Sequence, residues 1–170
     1  GRLHFNGGAS NQTNYNLDGF NIADPVNGRF ESKLNIESVR SLDLDSSRFS
    51  ADKGRGSAGS LDVKTSMGDD RWRFSGTNFV PNITTEGGLR INKWTPRLQL
   101  SGPVVKGRAW FHNGFDTYYD VDYVHELPRG ENTARSITTS NLTRFQVNLT
   151  PANILTGSVL LNYVDRKSVV

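Results

Sequence analysis

The side chains that come nearest to a reactive or metal-holding set are His112, Asp116, Asp120 and Asp122, all at even positions of the run RAWFHNGFDTYYDVDYV (108–124). A bound cation or acid–base chemistry would be the use of such a set. Read as a β-strand, the run puts all four on one face, because successive strand side chains point to opposite sides. At strand spacing, residues i and i+4 lie about 13 Å apart, and even Asp120 and Asp122 lie about 7 Å apart, too far to share one ion. A wet polar face is therefore the leading reading, with a calcium site completed by loop residues as its alternative. No resident metal is assigned. His4, His112 and His125 are the only histidines, and no Ser, His and Asp set has a local signature of nucleophilic catalysis, so no residue is assigned as catalytic.

Gly54, Gly56 and Gly59 spell G-x-G-x-x-G. A dinucleotide site needs a helix N-terminus directly after that loop to hold the pyrophosphate, and an acid about 20 residues on. The residues after Gly59 are instead SLDVKT, an alternating strand pattern. The glycines then mark a tight loop with close backbone packing. Asp43, Asp45 and Ser47 open like a calcium loop, but its sixth position is Arg48 and its twelfth Gly54, which removes both the turn glycine and the bidentate acid. Tyr118, Tyr119 and Tyr123 could stack on a sugar, although a membrane-interface belt accounts for them better. Arg71, Arg73 and Arg97 sit on polar strand faces, where solvated charge is the simplest reading and an anionic ligand the other.

The chain has 170 residues and a net charge of +3, with 17 glycines, 6 prolines and no cysteine. Charge is spread evenly, without the basic block of a nucleic-acid-binding arm, so no nucleic acid is expected as a partner. Disulfides and thiolate metal sites are excluded. No stretch approaches 18 apolar residues, which rules out a membrane helix and leaves a membrane barrel open, since barrel strands announce themselves only by alternation. The chain starts without Met or a leader and stops inside an alternating run. It is expected to be an internal piece of a longer protein.

Residues 1–69 read as a compact glycine-punctuated unit. A short strand around Tyr15 and Leu17 ends at the turn pair Asp18-Gly19, and Asp24-Pro25 and Asn27-Gly28 are further turns. Leu34, Ile36 and Val39 fit one or two helical turns, and Leu42 and Leu44 then alternate as a half-buried strand would. Residues 70–170 read as five strands: 71–80, 94–102, 108–124, 141–149 and 153–165. The connections between them, 81–93, 103–107, 125–140 and 150–153, run long, short, long, short. That is the rhythm of an outer-membrane barrel, with short periplasmic turns and longer outer loops. In the 108–124 strand, Phe111, Phe115, Tyr119 and Val121 would face lipid, while Arg71, Arg73, His112, Asp116, Asp120 and Asp122 would face the lumen and any ligand in it. On that assignment Phe115→Arg costs about 2 to 4 kcal/mol near the midplane, and Asp116→Asn is mild.

The ordered set NYNLDGFNIADP, IESVRSLDL, FSADKGRGSAG with SLDVKT, RWRFSGTNF, SGPVVKGRAWFHNGF and NLTPANILTGS resembles the TonB-dependent outer-membrane receptors, and within them the Oar-like group that carries a carboxypeptidase-regulatory-like domain before the plug. The resemblance spans nearly the whole chain. It implies the rear half of a plug domain (1–69), then the first five strands of a transmembrane β-barrel (70–170). It also implies that Leu17, Asp18 and Gly19 form a plug strand and turn, and that Gly54, Gly56 and Gly59 form the loop before the last plug strand, in structural roles.

The expected fold is thus all-β, with minor α in the plug. The expected function is energised uptake of a scarce bulky ligand such as a siderophore, a glycan or a peptide, with no enzymatic step and no cofactor. Expected partners are outer-membrane lipid, a small ligand of unknown identity, and a TonB complex that acts through a region outside this chain. A secreted β-rich binding or adhesion module is the alternative. Its strands would hide their apolar face inside a protein core.

Overall fold

A computed structural model describes residues 6–30, 32–46, 58–85, 88–124, 126–128 and 132–167. The chain divides into two compact units, one made of Gly1–Ser32 with Val39–Ser66 and the other of Lys33–Ser38 with Met67–Val170.

The first unit is a four-stranded sheet of β1 (Thr13–Leu17), β2 (Phe20–Asn21), β3 (Val39–Asp45) and β4 (Gly59–Thr65), in the order β2-β1-β4-β3. β1 and β4 are parallel and the other pairs antiparallel. Tyr15, Leu17 and Val63 are buried, and the Tyr15 ring stacks on Phe30 at 5.7 Å between centroids. Asp18 and Gly19 form the expected tight turn between β1 and β2, both at positive φ (51° and 85°). Asp18 also ties this turn to the end of β4, because its carboxylate accepts from the Thr65 amide at 2.9 Å and the Thr65 hydroxyl at 2.6 Å. Leu42 and Leu44 alternate within β3 as expected but are exposed, because β3 is the edge strand of this sheet. Gly59 is the first residue of β4 and not part of the preceding loop; Gly54 and Gly56 lie outside the described residues.

The fold is almost entirely β. Among the described residues the helical pieces are two 3₁₀ turns, Ser10–Gln12 and Ile36–Ser38, in place of the α-helical content expected. A local reason is visible at the second. The Asn35 side chain accepts from the Glu37 amide at 2.9 Å while its carbonyl accepts from Ser38 at 3.0 Å, which closes one tight turn and competes with continuing a helix. Val39 is already in β3.

The second unit is a seven-stranded sheet: β5 (Arg73–Thr77), β6 (Asn82–Thr84), β7 (Arg90–Trp94), β8 (Arg97–Val105), β9 (Ala109–Tyr123), β10 (Thr133–Thr150) and β11 (Asn153–Lys167). All pairings are antiparallel. Among the described residues seven strands replace the expected five, because the stretch expected as the loop 81–93 supplies β6 and nearly all of β7. β5 ends where Asn78 turns to φ 58°, shortly before Pro81, and β6 then pairs with β7. Pro96 separates β7 from β8, and its carbonyl accepts from the Thr117 amide of β9 at 3.1 Å. A proline cannot donate to the ladder, so it breaks the strand where it stands. The stretch expected as the long loop 81–93 is therefore largely a hairpin.

β10 begins at Thr133 instead of 141, which reduces the expected loop 125–140 to 124–132. Its first half, TARSITTS, is polar on both faces, so alternation gives no sign of it. Backbone pairing with β9 from Thr133↔Tyr123 onward makes it a strand. β9, β10 and β11 run 15, 18 and 15 residues, well beyond the roughly 3 to 10 usual in globular proteins.

Register assigns the two faces. Arg73, Ser101, His112, Arg144 and Ser158 form one row across β5, β8, β9, β10 and β11, and Thr77, Arg97, Asp116, Ser140 and Asn162 form another on the same polar face. The opposite face carries Phe74, Leu98, Leu100, Phe111, Phe115, Val159 and Leu161. Phe74 is 71% exposed and Leu161 62%. Trp72 meets Phe111 edge-on at 5.6 Å and lies over Gly102, where a Cβ would sit 2.8 Å from the indole. The ring of Phe145 covers Gly157 in the same manner, an arrangement in which an aromatic shields a glycine gap in the sheet. Polar residues on this apolar face satisfy one another: Asn113 donates to Thr143 at 2.8 Å and to Asn141 at 3.2 Å, and the Thr117 and Thr139 hydroxyls are 3.2 Å apart.

Candidate functional site

The polar face of the sheet is covered by the chain's own Lys33–Ser38 segment, and this is where the polar side chains converge. The segment crosses the strands in order. The Lys33 amide donates to Asn162 of β11 at 3.2 Å, and its carbonyl accepts from Ser140 of β10 at 2.7 Å. The Lys33 ammonium pairs with Asp116 of β9 at 2.6 Å. Asn35 donates to the Phe115 carbonyl at 3.2 Å, Ser38 Oγ lies 3.0 Å from His112 Nε2, and the Glu37 carboxylate accepts from Thr77 of β5 at 3.2 Å. Asn35, Ser38, His112 and Ser140 are fully buried.

Sequence explains the seat. Gly114 sits between His112 and Asp116 on the polar face, and the space its missing side chain leaves is filled by Ser38, whose Cβ would be 3.3 Å from a Cβ built there. Glycine inside a strand marks this kind of close approach. Asp116 is 5% exposed and holds two cations, Lys33 at 2.6 Å and the Arg97 Nε at 3.9 Å. Its partners are protein groups, which makes it a structural ion pair with costly desolvation on both sides. Because Asp116→Asn strips Lys33 of its carboxylate, this geometry leads to the expectation of a measurable cost in place of a mild one.

A serine hydroxyl on a histidine nitrogen is the first half of a nucleophile–base arrangement. Here the second half is missing. Among the described residues His112 Nδ1 has no hydrogen-bond partner, Asp116 is engaged elsewhere, and both Ser38 and His112 are fully buried. The pair acts as a clip between segment and strand.

The other residues singled out from sequence are not gathered with these. Asp120 is on the same face of β9, opposite Lys93 and Ser136, and Asp122 is opposite Ala134 and exposed. Lys93 and Lys33 each approach the Tyr118 ring, at 5.5 and 5.9 Å from its centroid. Arg73, at the start of β5, pairs with Asp69 at 2.5 Å, and exposed Arg71 donates its amide to Asp69 at 3.0 Å. Phe111, Phe115, Tyr119 and Val121 are half-buried on the opposite, apolar face. Leu17, Asp18 and Gly19 belong to the first unit.

Sequence reasoning passes over Lys33, Asn35, Ser38 and Asp70. For the first three, the one local trace is Gly114. Asp70 closes the β8–β9 turn, accepting from the Gly107 amide at 2.8 Å and the Trp110 indole at 2.7 Å. Those two bonds, with Lys106 nearby, hold its carboxyl below the ordinary range.

Comparison with known proteins finds one similarity of note. The chain is 26% identical, over 183 aligned residues, to the TonB-dependent transporter Oar of Myxococcus xanthus; the alignment covers 98% of this chain and 17% of that protein. No family model and no solved structure matches the chain.

Proposed function

We propose that this chain is part of a TonB-dependent outer-membrane receptor that takes up a scarce bulky ligand, such as a siderophore, a glycan or a peptide, by gated passage without covalent chemistry. On this reading residues 1–69 are the rear half of the plug and residues 70–170 the first strands of the barrel. The observation that carries it is the division of labour between the two faces of the long-stranded sheet. The polar face is packed by the chain's own Lys33–Ser38, while an apolar face bearing Phe74, Leu100, Phe145 and Leu161 is exposed. A soluble module would bury that second face, whereas a barrel strand turns it to lipid. Likeness to the Oar transporter along nearly the whole chain supports the same reading.

In this arrangement Phe111, Phe115, Tyr119 and Val121 meet lipid. Trp72 and Phe111 at one end, and Trp94 with Tyr119 at the other, stand as interfacial girdles; Phe111 and Tyr119 are about 26 Å apart along β9 at strand rise. Arg73, His112, Asp116, Asp120 and Asp122 face the lumen, with Arg71 just ahead of β5. The TonB complex acts through sequence outside this chain.

The test uses the full-length protein in its own host. It should sediment with the outer membrane and require detergent for release, and ligand accumulation should stop when an uncoupler collapses the inner-membrane gradient. Recovery as a detergent-free protein in the culture fluid would refute the reading in favour of a secreted module.

A further inference from the structure

The apolar face of the long-stranded sheet changes character at one end. Register carries the row Thr117, Thr139 and Tyr163 into Trp94, Tyr119, Ile137 and Asp165, and then into Val121, Arg135 and Lys167. Among the described residues paired on this face from β8 to β11, Arg135 and Lys167 are the only cations, and they stand directly opposite one another. At the other end, beside the tight turns, the last rows are Phe111, Phe145 and Gly157, then Ala109, Val147 and Leu155, without charge. Arg90 of β7 joins the basic end. Its guanidinium lies 4.5 Å from the centroid of the Tyr123 ring, and Tyr123 pairs with Thr133 one row beyond Arg135.

Two like charges opposite one another on neighbouring strands repel. Asp165 offsets one of them, at 3.2 Å from Arg135, while no ion pair among the described residues involves exposed Lys167. An anion seated between the two would remove the repulsion. Depth says which anion. Successive rows are about 7 Å apart along a strand, and a headgroup layer is about 5 to 7 Å deep on a hydrocarbon core of about 30 Å. One row past the Trp94 and Tyr119 girdle is therefore headgroup depth, where the anion at hand is a lipid phosphate. A guanidinium fork and a neighbouring ammonium suit its oxygens.

We infer that Arg135 and Lys167, with Arg90 beside them, form a site for the phosphate of an anionic lipid headgroup in the leaflet at this end of the sheet. This rests on the reading that the apolar face meets lipid, and adds to it a choice of lipid by charge.

The test uses the full-length protein with its sole cysteine at Thr133→Cys, labelled with bimane and reconstituted in phosphatidylcholine vesicles. These are doped with phosphatidylglycerol or, for comparison, phosphatidylcholine bearing a doxyl quencher high on the acyl chain. Each Lys or Arg at an anionic surface is worth about fivefold in attraction, so the labelled phosphatidylglycerol should be preferred at the probe by about 25-fold. Arg135→Gln/Lys167→Gln should abolish the preference, Arg135→Lys/Lys167→Arg should retain it, and added inorganic phosphate should leave it unchanged. Equal quenching by the two lipids, an undiminished preference in the double Gln variant, or loss of the preference to inorganic phosphate overturns the inference while the lipid-facing reading stands. Quenching by neither lipid overturns both.

Discussion

Gly114→Ala is the most informative single change, because the structure says what the added methyl meets. A Cβ at 114 overlaps Ser38 Oγ and comes 3.2 Å from Asn35 Nδ2 and 3.3 Å from Ser38 Cβ. The Oγ cannot simply step aside: it is held 3.0 Å from His112 Nε2, and His112 Nδ1 already lacks a partner among the described residues. Overpacking a well-filled site costs about 1 to 3 kcal/mol. Displacing Ser38 adds about 1 to 3 kcal/mol for a buried imidazole left unpaired. The expected loss is thus about 2 to 6 kcal/mol. Ser38→Ala alone should cost about 1 to 3 kcal/mol through the lost hydrogen bond. Once Oγ is gone, the methyl at 114 meets ordinary, slightly tight contacts, and the His112 bond is no longer there to lose. Gly114→Ala should then add only about 1 kcal/mol.

The two changes must therefore be less than additive, with a coupling of about 1 kcal/mol or more. The assay is the urea midpoint of the full-length protein in detergent micelles, following the strand transition in wild type, both single variants and the double variant. If Gly114→Ala costs the same in both backgrounds, to within about 0.5 kcal/mol, Ser38 does not sit on Gly114 and the docking of Lys33–Ser38 is wrong.

Other outcomes rest on the same geometry. Phe115→Arg should destabilise the full-length protein in lipid vesicles by about 2 to 4 kcal/mol if that face meets the bilayer midplane, and a loss no larger in vesicles than in micelles would argue against lipid there. Asp116→Asn should cost about 1.5 to 3 kcal/mol by unpairing Lys33, so a midpoint equal to wild type would remove the ion pair from the account. In the first unit, Asp18→Ala should cost about 1 to 3 kcal/mol by losing both bonds to Thr65. Asp18→Asn should cost less, because Asn tolerates positive φ and keeps an acceptor; equal losses would show that the Thr65 bonds carry nothing. Asp70, outside the strands, has a depressed carboxyl value in the folded protein. Its contribution is present above the unfolded value and disappears as pH falls through the lower, folded value. In a variant keeping Trp110 as the sole tryptophan, fluorescence should change in that acidic window and Asp70→Asn should abolish the change; an unchanged transition in Asp70→Asn would detach Trp110 from this group.

How much of this is legible depends on whether a residue's role is written in its neighbours along the chain. β9 can be read because each of its faces has its own chemistry, and the Asp18-Gly19 turn because positive φ has few willing residues. The first half of β10 cannot, since Thr133–Ser140 is polar on both sides and its strand character comes from the ladders to β9 and β11. Pro81 is visible, but in sequence it suggests a loop, when the chain just past it pairs again as β6 with β7; Pro96 falls inside the strand expected over 94–102 and separates β7 from β8.

The candidate site is the least legible region, for a physical reason. Its makers are Lys33, Asn35 and Ser38 on one side and His112, Asp116 and Ser140 on the other, separated by a long stretch of chain, and neither half has a spacing that implies the other. The even face of β9 looks wet because it is polar, and polarity is easily mistaken for exposure. Yet a polar face can be buried when a polar segment satisfies it group by group, and Gly114 is the place where that is written locally. A glycine amid bulky alternating neighbours states that something must come close. The same strand thus carries a local test of its surroundings, because Gly114 reports a protein partner on the polar side.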